Sequence, residues 1–196
     1  MKKYLRIFIY VCLYAAVIGM FVYLGKKDYG NNVNKYSDSE KFSIEYPNIP
    51  SDNKFKYIYA YEVADLLKNG TGIIYIGFSS NDWSQYYVNY LYDVLKDKNV
   101  DNIYYYDVLK DRSRQGKYYM EIVDILTKHL YETDTQKVNL NTPAVVFVKD
   151  GDIVYYDDET SLTRYNVSPS DYWTEDRINN FENKINIYAD GEDYNG

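Results

Sequence analysis

Apolar positions fall into three regimes along this chain. Ile7 to Leu24 is an apolar run of eighteen residues without a charge, near the lower limit for crossing the hydrocarbon core of a bilayer. Residues 28–54 are polar and show no sustained period, with Asn31, Asn32, Asn34, Ser37, Ser39, Ser43, Pro47 and Pro50 among them. That composition predicts a tether. From Phe55 the pattern alternates. Short apolar runs at 57–59, 72–77, 103–106, 144–148 and 153–156 predict strands, and Gly72 to Gly77 is apolar throughout, as a strand covered on both faces requires. Between them, apolar residues at helical spacing predict helices over 61–69, 84–98 and 117–131, with a last one from about 170 to 188. Asp150-Gly151 predicts a tight hairpin turn. The order is β α β α β α β β α. Its alternating first part implies parallel strands with crossovers, and its end implies an antiparallel hairpin, so the fold class is α/β with a central mixed sheet flanked by helices.

Charge orients the first regime. Lys2, Lys3 and Arg6 flank one end of the apolar run, and Lys26 and Lys27 flank the other, followed by Asp28. The bias places residues 1–6 in the cytoplasm and 7–24 as an uncleaved signal-anchor. The tether 28–54, a domain over 55–189 and an acidic tail over 190–196 then lie outside the cell membrane. The alternative is a cleaved signal peptide with its cut near Gly19, which would release the domain as a secreted protein.

The whole chain carries −7, but its first five basic residues all precede the first acid, Asp28. Taking those five from the 22 basic residues leaves 17 against 29 acidic residues, a net of −12 for residues 28–196. Such a surface repels phosphate backbones, which excludes nucleic acid as the expected partner. Tyrosine occurs 27 times, often where Phe, Leu or Val would be expected. Each ring buries apolar area but brings a hydroxyl that wants a partner. Coding bias in an AT-rich bacterial genome accounts for the excess more simply than function does. The single cysteine, Cys12, lies inside the apolar run, so it can close no internal disulfide and build no thiolate metal site alone.

Two local sequences carry a resemblance. Asn141-Thr142-Pro143 precedes the apolar run Ala144 to Val148 and then Lys149-Asp150-Gly151. Ile74-Tyr75-Ile76-Gly77-Phe78 ends a strand, and Ser79-Ser80-Asn81-Asp82-Trp83-Ser84-Gln85 leads into a helix. Together with the element order they resemble the thioredoxin-like superfamily. The second also resembles a thioredoxin-like group in Gram-positive bacteria, including proteins described as bacteriocin-transport accessory proteins, whose loop reads Cys-Pro-Trp-Cys. The resemblance implies a thioredoxin-like domain and a cis bond at Thr142–Pro143. It also implies a peptide-binding groove beside that proline. It places Asn81 and Ser84 where the family has its two cysteines, Asp82 where it has proline, and Trp83 on the family's tryptophan. Tyr75 stands where many members carry a buried acid.

Dithiol exchange needs one thiolate to attack and a second to resolve. Asn81 and Ser84 supply neither, so no redox activity, catalytic residue, metal or cofactor is expected. Ser84 would need a base to act as a nucleophile. The only histidine, His129, lies on the third predicted helix of the domain, outside the loop, so helix capping is the simpler role for Asn81, Asp82 and Ser84. Asp157-Asp158-Glu159 and the tail acids Asp190, Glu192 and Asp193 match no calcium loop and are expected to be solvated. The expected function is binding: a membrane-anchored, extracytoplasmic module that holds a protein or peptide against Trp83, Asp82 and Pro143. Trp83 is either an exposed anchor there or a ring packed on a neighbour. The alternatives are an accessory subunit of an envelope or export complex, contacting through the anchor and the last helix, or an enzyme with non-thiol chemistry. The chain should therefore reduce insulin in dithiothreitol no faster than dithiothreitol alone; an accelerated rate would mean that Cys12 does thiol chemistry after all.

Overall fold

A computed structural model describes residues 19–20, 36–129, 140–158 and 167–190. The chain divides into two compact units, Met1–Ser37 and Asp38–Gly196. Of the predicted membrane span only Gly19 and Met20 are described, and both are helical. The rest of the span lies outside the described residues. Among the described residues, no helix is long and apolar enough to cross a membrane.

The second unit is an α/β body. Its elements run α1 (Asp38–Glu45), β1 (Phe55–Tyr57), α2 (Ala60–Asn69), β2 (Gly72–Gly77), α3 (Asp82–Leu95), β3 (Ile103–Asp107), α4 (Leu109–Arg114), α5 (Lys117–Leu126), β4 (Ala144–Lys149), β5 (Asp152–Asp157), α6 (Pro169–Tyr172) and α7 (Glu175–Ala189). The sheet order is β1-β3-β2-β4-β5. β3 runs parallel to β1 and β2, while β4 pairs antiparallel with β2 and with β5. Every residue of β2 is buried. Its side chains alternate between two cores, as the two-residue period of a strand dictates. Ile73 and Tyr75 join Phe42, Tyr87, Leu91, Phe147 and Phe181 in one core. Ile74 and Ile76 join Val63, Leu67, Ile122, Val146 and Val148 in the other.

The β4–β5 turn has both central residues left-handed, Asp150 at φ 51° and Gly151 at φ 81°. Position 151 must be glycine for a second reason. A Cβ there would lie 2.2 Å from the Lys68 carbonyl oxygen, because the turn packs on the end of α2 and the Gly151 N–H donates to Gly70 O at 2.8 Å.

The largest departure from the sequence reading is the tether. Residues 38–53 are part of the folded body. Phe42 and Tyr46 have no exposure and Ile49 has 2%. The Phe42 ring stacks on Phe55 at 3.9 Å with 8° between planes. Polar side chains attach the same segment to the sheet edge. Asp38 Oδ2 accepts the Tyr57 N–H at 3.1 Å, and Asn53 Oδ1 accepts the Phe55 N–H at 3.0 Å. Asn53 also donates to Pro50 O at 2.6 Å and to Ser39 O at 2.9 Å. α1 reads DSEKFSIE and buries one residue, so it has no apolar stripe to betray it.

Two further differences concern helices. α4 follows β3 in a stretch without helical periodicity and buries no residue. The expected last helix is two helices. Ser168 caps α6 by accepting the Asp171 N–H, and the chain leaves the helical range at Trp173 (ψ 70°) before α7 begins.

If α1 belongs to the body, Phe42→Ala should lower unfolding stability by about 3–5 kcal/mol, the usual cost of truncating a fully buried phenylalanine. Urea unfolding checks this, and a midpoint equal to that of the parent chain would restore the tether reading.

Candidate functional site

The site predicted from sequence lies at the C-terminal end of β2. Ile76 pairs with Ala144 across the sheet, so the chain leaving Gly77 and the chain arriving at Pro143 meet at one end of it. The Thr142–Pro143 bond is cis. Pro143 is buried, and Asn141 and Thr142 are half-buried.

Each loop residue has an identifiable physical role. Asn81 Oδ1 accepts the Trp83 N–H at 3.0 Å, which caps α3 and satisfies one of its free donors. Asp82 is exposed at the first turn of α3, where its charge complements the helix dipole. Ser84 does not cap the helix. It has no exposure, and its Oγ lies 3.5 Å from the Phe78 N–H, at the far limit of a hydrogen bond. Trp83 is half-buried and meets Tyr172 in a T-shaped contact at 5.4 Å, so part of its ring packs on a neighbour. The Arg177 guanidinium covers the Tyr172 ring at 4.1 Å.

Tyr75 fills the interior behind the loop. It has no exposure and donates its hydroxyl to Ser84 O at 3.1 Å. Burial pushes this phenol well above its ordinary range, against hydrogen bonds that lower it. It stays protonated at any physiological pH and carries no mobile proton. Its hydroxyl also dictates Gly77, where a Cβ would lie 2.6 Å from it and 3.2 Å from Ser84 Oγ.

Three residues whose roles the sequence does not show hold this end together. Arg112, on α4, donates from Nη2 to Leu140 O at 2.7 Å and to Thr142 Oγ1 at 2.9 Å. The guanidinium also lies 5.7 Å over the Phe78 ring, so one side chain ties the proline segment to the β2–α3 loop. Gln85 donates from Nε2 to Ser79 O at 2.7 Å and to Glu45 O at 2.9 Å, linking the loop to α1. Asp158 accepts the Asn141 amide at 2.8 Å and the Tyr156 hydroxyl at 3.1 Å. No motif signals them, because their spacing to the loop is set by the fold alone.

The acids were also misread. Asp157 and Asp158 are 6% and 4% exposed, so they are interior groups with hydroxyl and amide donors and no part of a solvated loop. Asp190 is exposed and pairs with Lys98. Glu159, Glu192 and Asp193 lie outside the described residues. Among the described residues, no three His, Cys, Asp or Glu side chains are grouped to hold a metal ion. Cys12 lies outside the described residues, and the His129 side chain is not described. A separate cavity of about 460 Å³ opens between α2 and β1, lined by Lys56, Ile58, Tyr61, Asp65, Leu66 and Tyr104 among others.

No family model, curated protein or solved structure matches this chain.

The Arg112 contacts make a local prediction. Arg112→Ala should cost about 1–3 kcal/mol, the usual value of hydrogen bonds to a charged donor. Amide exchange at Leu140 to Ala144 should quicken. Arg112→Lys should recover only part, since an ammonium cannot reproduce the planar fork. Unchanged exchange in the alanine variant would mean that the proline segment is held by the sheet alone.

Proposed function

We propose that this chain is a membrane-anchored, redox-inactive thioredoxin-like protein whose outward-facing body works as a binding module. The observation that carries this reading is the end of the sheet just described. The β2–α3 loop and the Thr142–Pro143 segment lie side by side there, tied by Arg112, and the four loop positions Asn81 to Ser84 contain a cap, an exposed acid, a packed ring and a buried hydroxyl in place of any thiol. The strand order β1-β3-β2-β4-β5, with β4 antiparallel to β2, supports the thioredoxin-like assignment. The charge bias around Ile7 to Leu24 supports the anchor and its orientation.

A binding face built this way is polar. Asp82 and Ser80 are exposed at its centre, with the rim of Trp83 and the half-buried Thr142 beside them. It suits a protein or peptide segment that supplies donors to Asp82 and to backbone groups of the loop. A second reading has its own observation. Ile187 is 70% exposed on α7, an apolar side chain facing solvent on the last helix. This favours docking of that helix inside an envelope or export complex, with the protein as accessory subunit.

Affinity capture with the full chain in mild detergent separates these readings. Asp82→Lys should reduce capture of a specific envelope protein at least tenfold while Ile187→Asp leaves it unchanged. The opposite pattern would establish the α7 reading. Equal capture by all three proteins would remove both faces from consideration.

A further inference from the structure

The body contains a run of oxidisable rings that reaches one buried carboxylate from two sides. On the first side Tyr90, half-buried on α3, lies 4.8 Å from Trp173 between ring centroids, and Trp173 lies 6.2 Å from Tyr87. Tyr87 has no exposure and donates its hydroxyl to Asp157 Oδ1 at 2.9 Å. On the second side Tyr188, half-buried on α7, stacks on Tyr155 at 4.4 Å with 18° between planes. The Tyr155 hydroxyl donates to the other oxygen, Asp157 Oδ2, at 3.3 Å. Behind Tyr87 the run continues to Tyr75 at 6.1 Å and Tyr105 at 5.6 Å.

The chemistry of phenols gives this arrangement meaning. A phenol that loses an electron becomes a strong acid. In an interior that water does not reach, it is oxidised readily only when a base within hydrogen-bond reach takes the proton in the same event. Tyr106 and Tyr156 each have a carboxylate of their own, whereas Tyr87 and Tyr155 share one. Asp157 is 6% exposed, which keeps the transferred proton beside the radical. Ring centroids within about 6 Å give the close aromatic contact that electron exchange needs. The branch through Trp83 and Tyr172 is the poorer route, because the Arg177 guanidinium 4.1 Å over Tyr172 opposes a positive charge on that ring.

We propose that Asp157 with Tyr87 and Tyr155 forms a one-electron sink for small radical oxidants. The oxidant takes one electron from Tyr90 or Tyr188 at the surface and is reduced by one electron. The hole passes to Tyr87 or Tyr155. The phenolic O–H bond breaks there, and its proton forms an O–H bond on Asp157. The products are a neutral tyrosyl radical and a neutral aspartic acid. A donor of the ascorbate class returns one electron through the same rings, and Asp157 gives the proton back.

Flash oxidation of the full chain with tris(bipyridyl)ruthenium(II) and persulfate, followed by freeze-quench electron paramagnetic resonance, tests this. The native chain should yield a long-lived neutral tyrosyl signal that ascorbate erases. Tyr87→Phe with Tyr155→Phe keeps both rings and their stacking but removes both protons, and the long-lived signal should be lost. Asp157→Asn should slow its formation at least tenfold. Should Asp157→Asn fail to fold, the double phenylalanine variant decides alone. A signal of unchanged yield and lifetime in that variant would overturn the proposal, because the radical would then reside on other tyrosines.

Discussion

A buried tyrosine must place its hydroxyl, and much of this body follows from that single requirement. A phenol without a hydrogen-bond partner in the interior forfeits the free energy of its lost hydration. Tyr46 and Tyr105 meet each other at 3.3 Å. Tyr75 turns to the Ser84 carbonyl, and that choice fixes Gly77 beside it. Tyr87 and Tyr155 are served by Asp157, Tyr156 by Asp158 and Tyr106 by Asp111. The acids are therefore consequences of the rings. A core of Phe, Leu and Val in the same places would have no use for a carboxylate at 6% exposure. Burial raises the phenols of Tyr46, Tyr75, Tyr87 and Tyr105 far above their ordinary range, so they rest in the protonated form.

The legible parts of the fold were those where burial imposes a period. β2 buries every residue and reads as an unbroken apolar run; α3 and α5 bury one face and read at helical spacing. The illegible parts are held by scattered contacts that have no local period. The segment that holds α1 docks through Phe42, Tyr46 and Ile49 and through Asp38 and Asn53 on the β1 donors, and a window of polar residues hides them. α4 exists to carry Arg112 across to Thr142, a relation between residues thirty apart that no local pattern records.

The candidate site divides the same way. That Asn81 and Ser84 carry no thiol is visible in the residues themselves. Their present roles are not, since Asn81 and Ser84 are both cap-type residues, yet one caps α3 and the other is sealed inside. Trp83 shows why residue type alone misleads. An aromatic on a loop can anchor a partner, but here the ring already has Tyr172 against its edge.

The contacts of α1 with β1 bear on life at high density. A sheet edge with free N–H groups is a template for a strand from the next molecule. Here both outward donors of β1, at Phe55 and Tyr57, are occupied by Asn53 and Asp38. Proteins at high concentration meet edge to edge far more often than in dilute solution. With those donors taken from within its own chain, the β1 edge offers a neighbouring copy no free N–H to pair with.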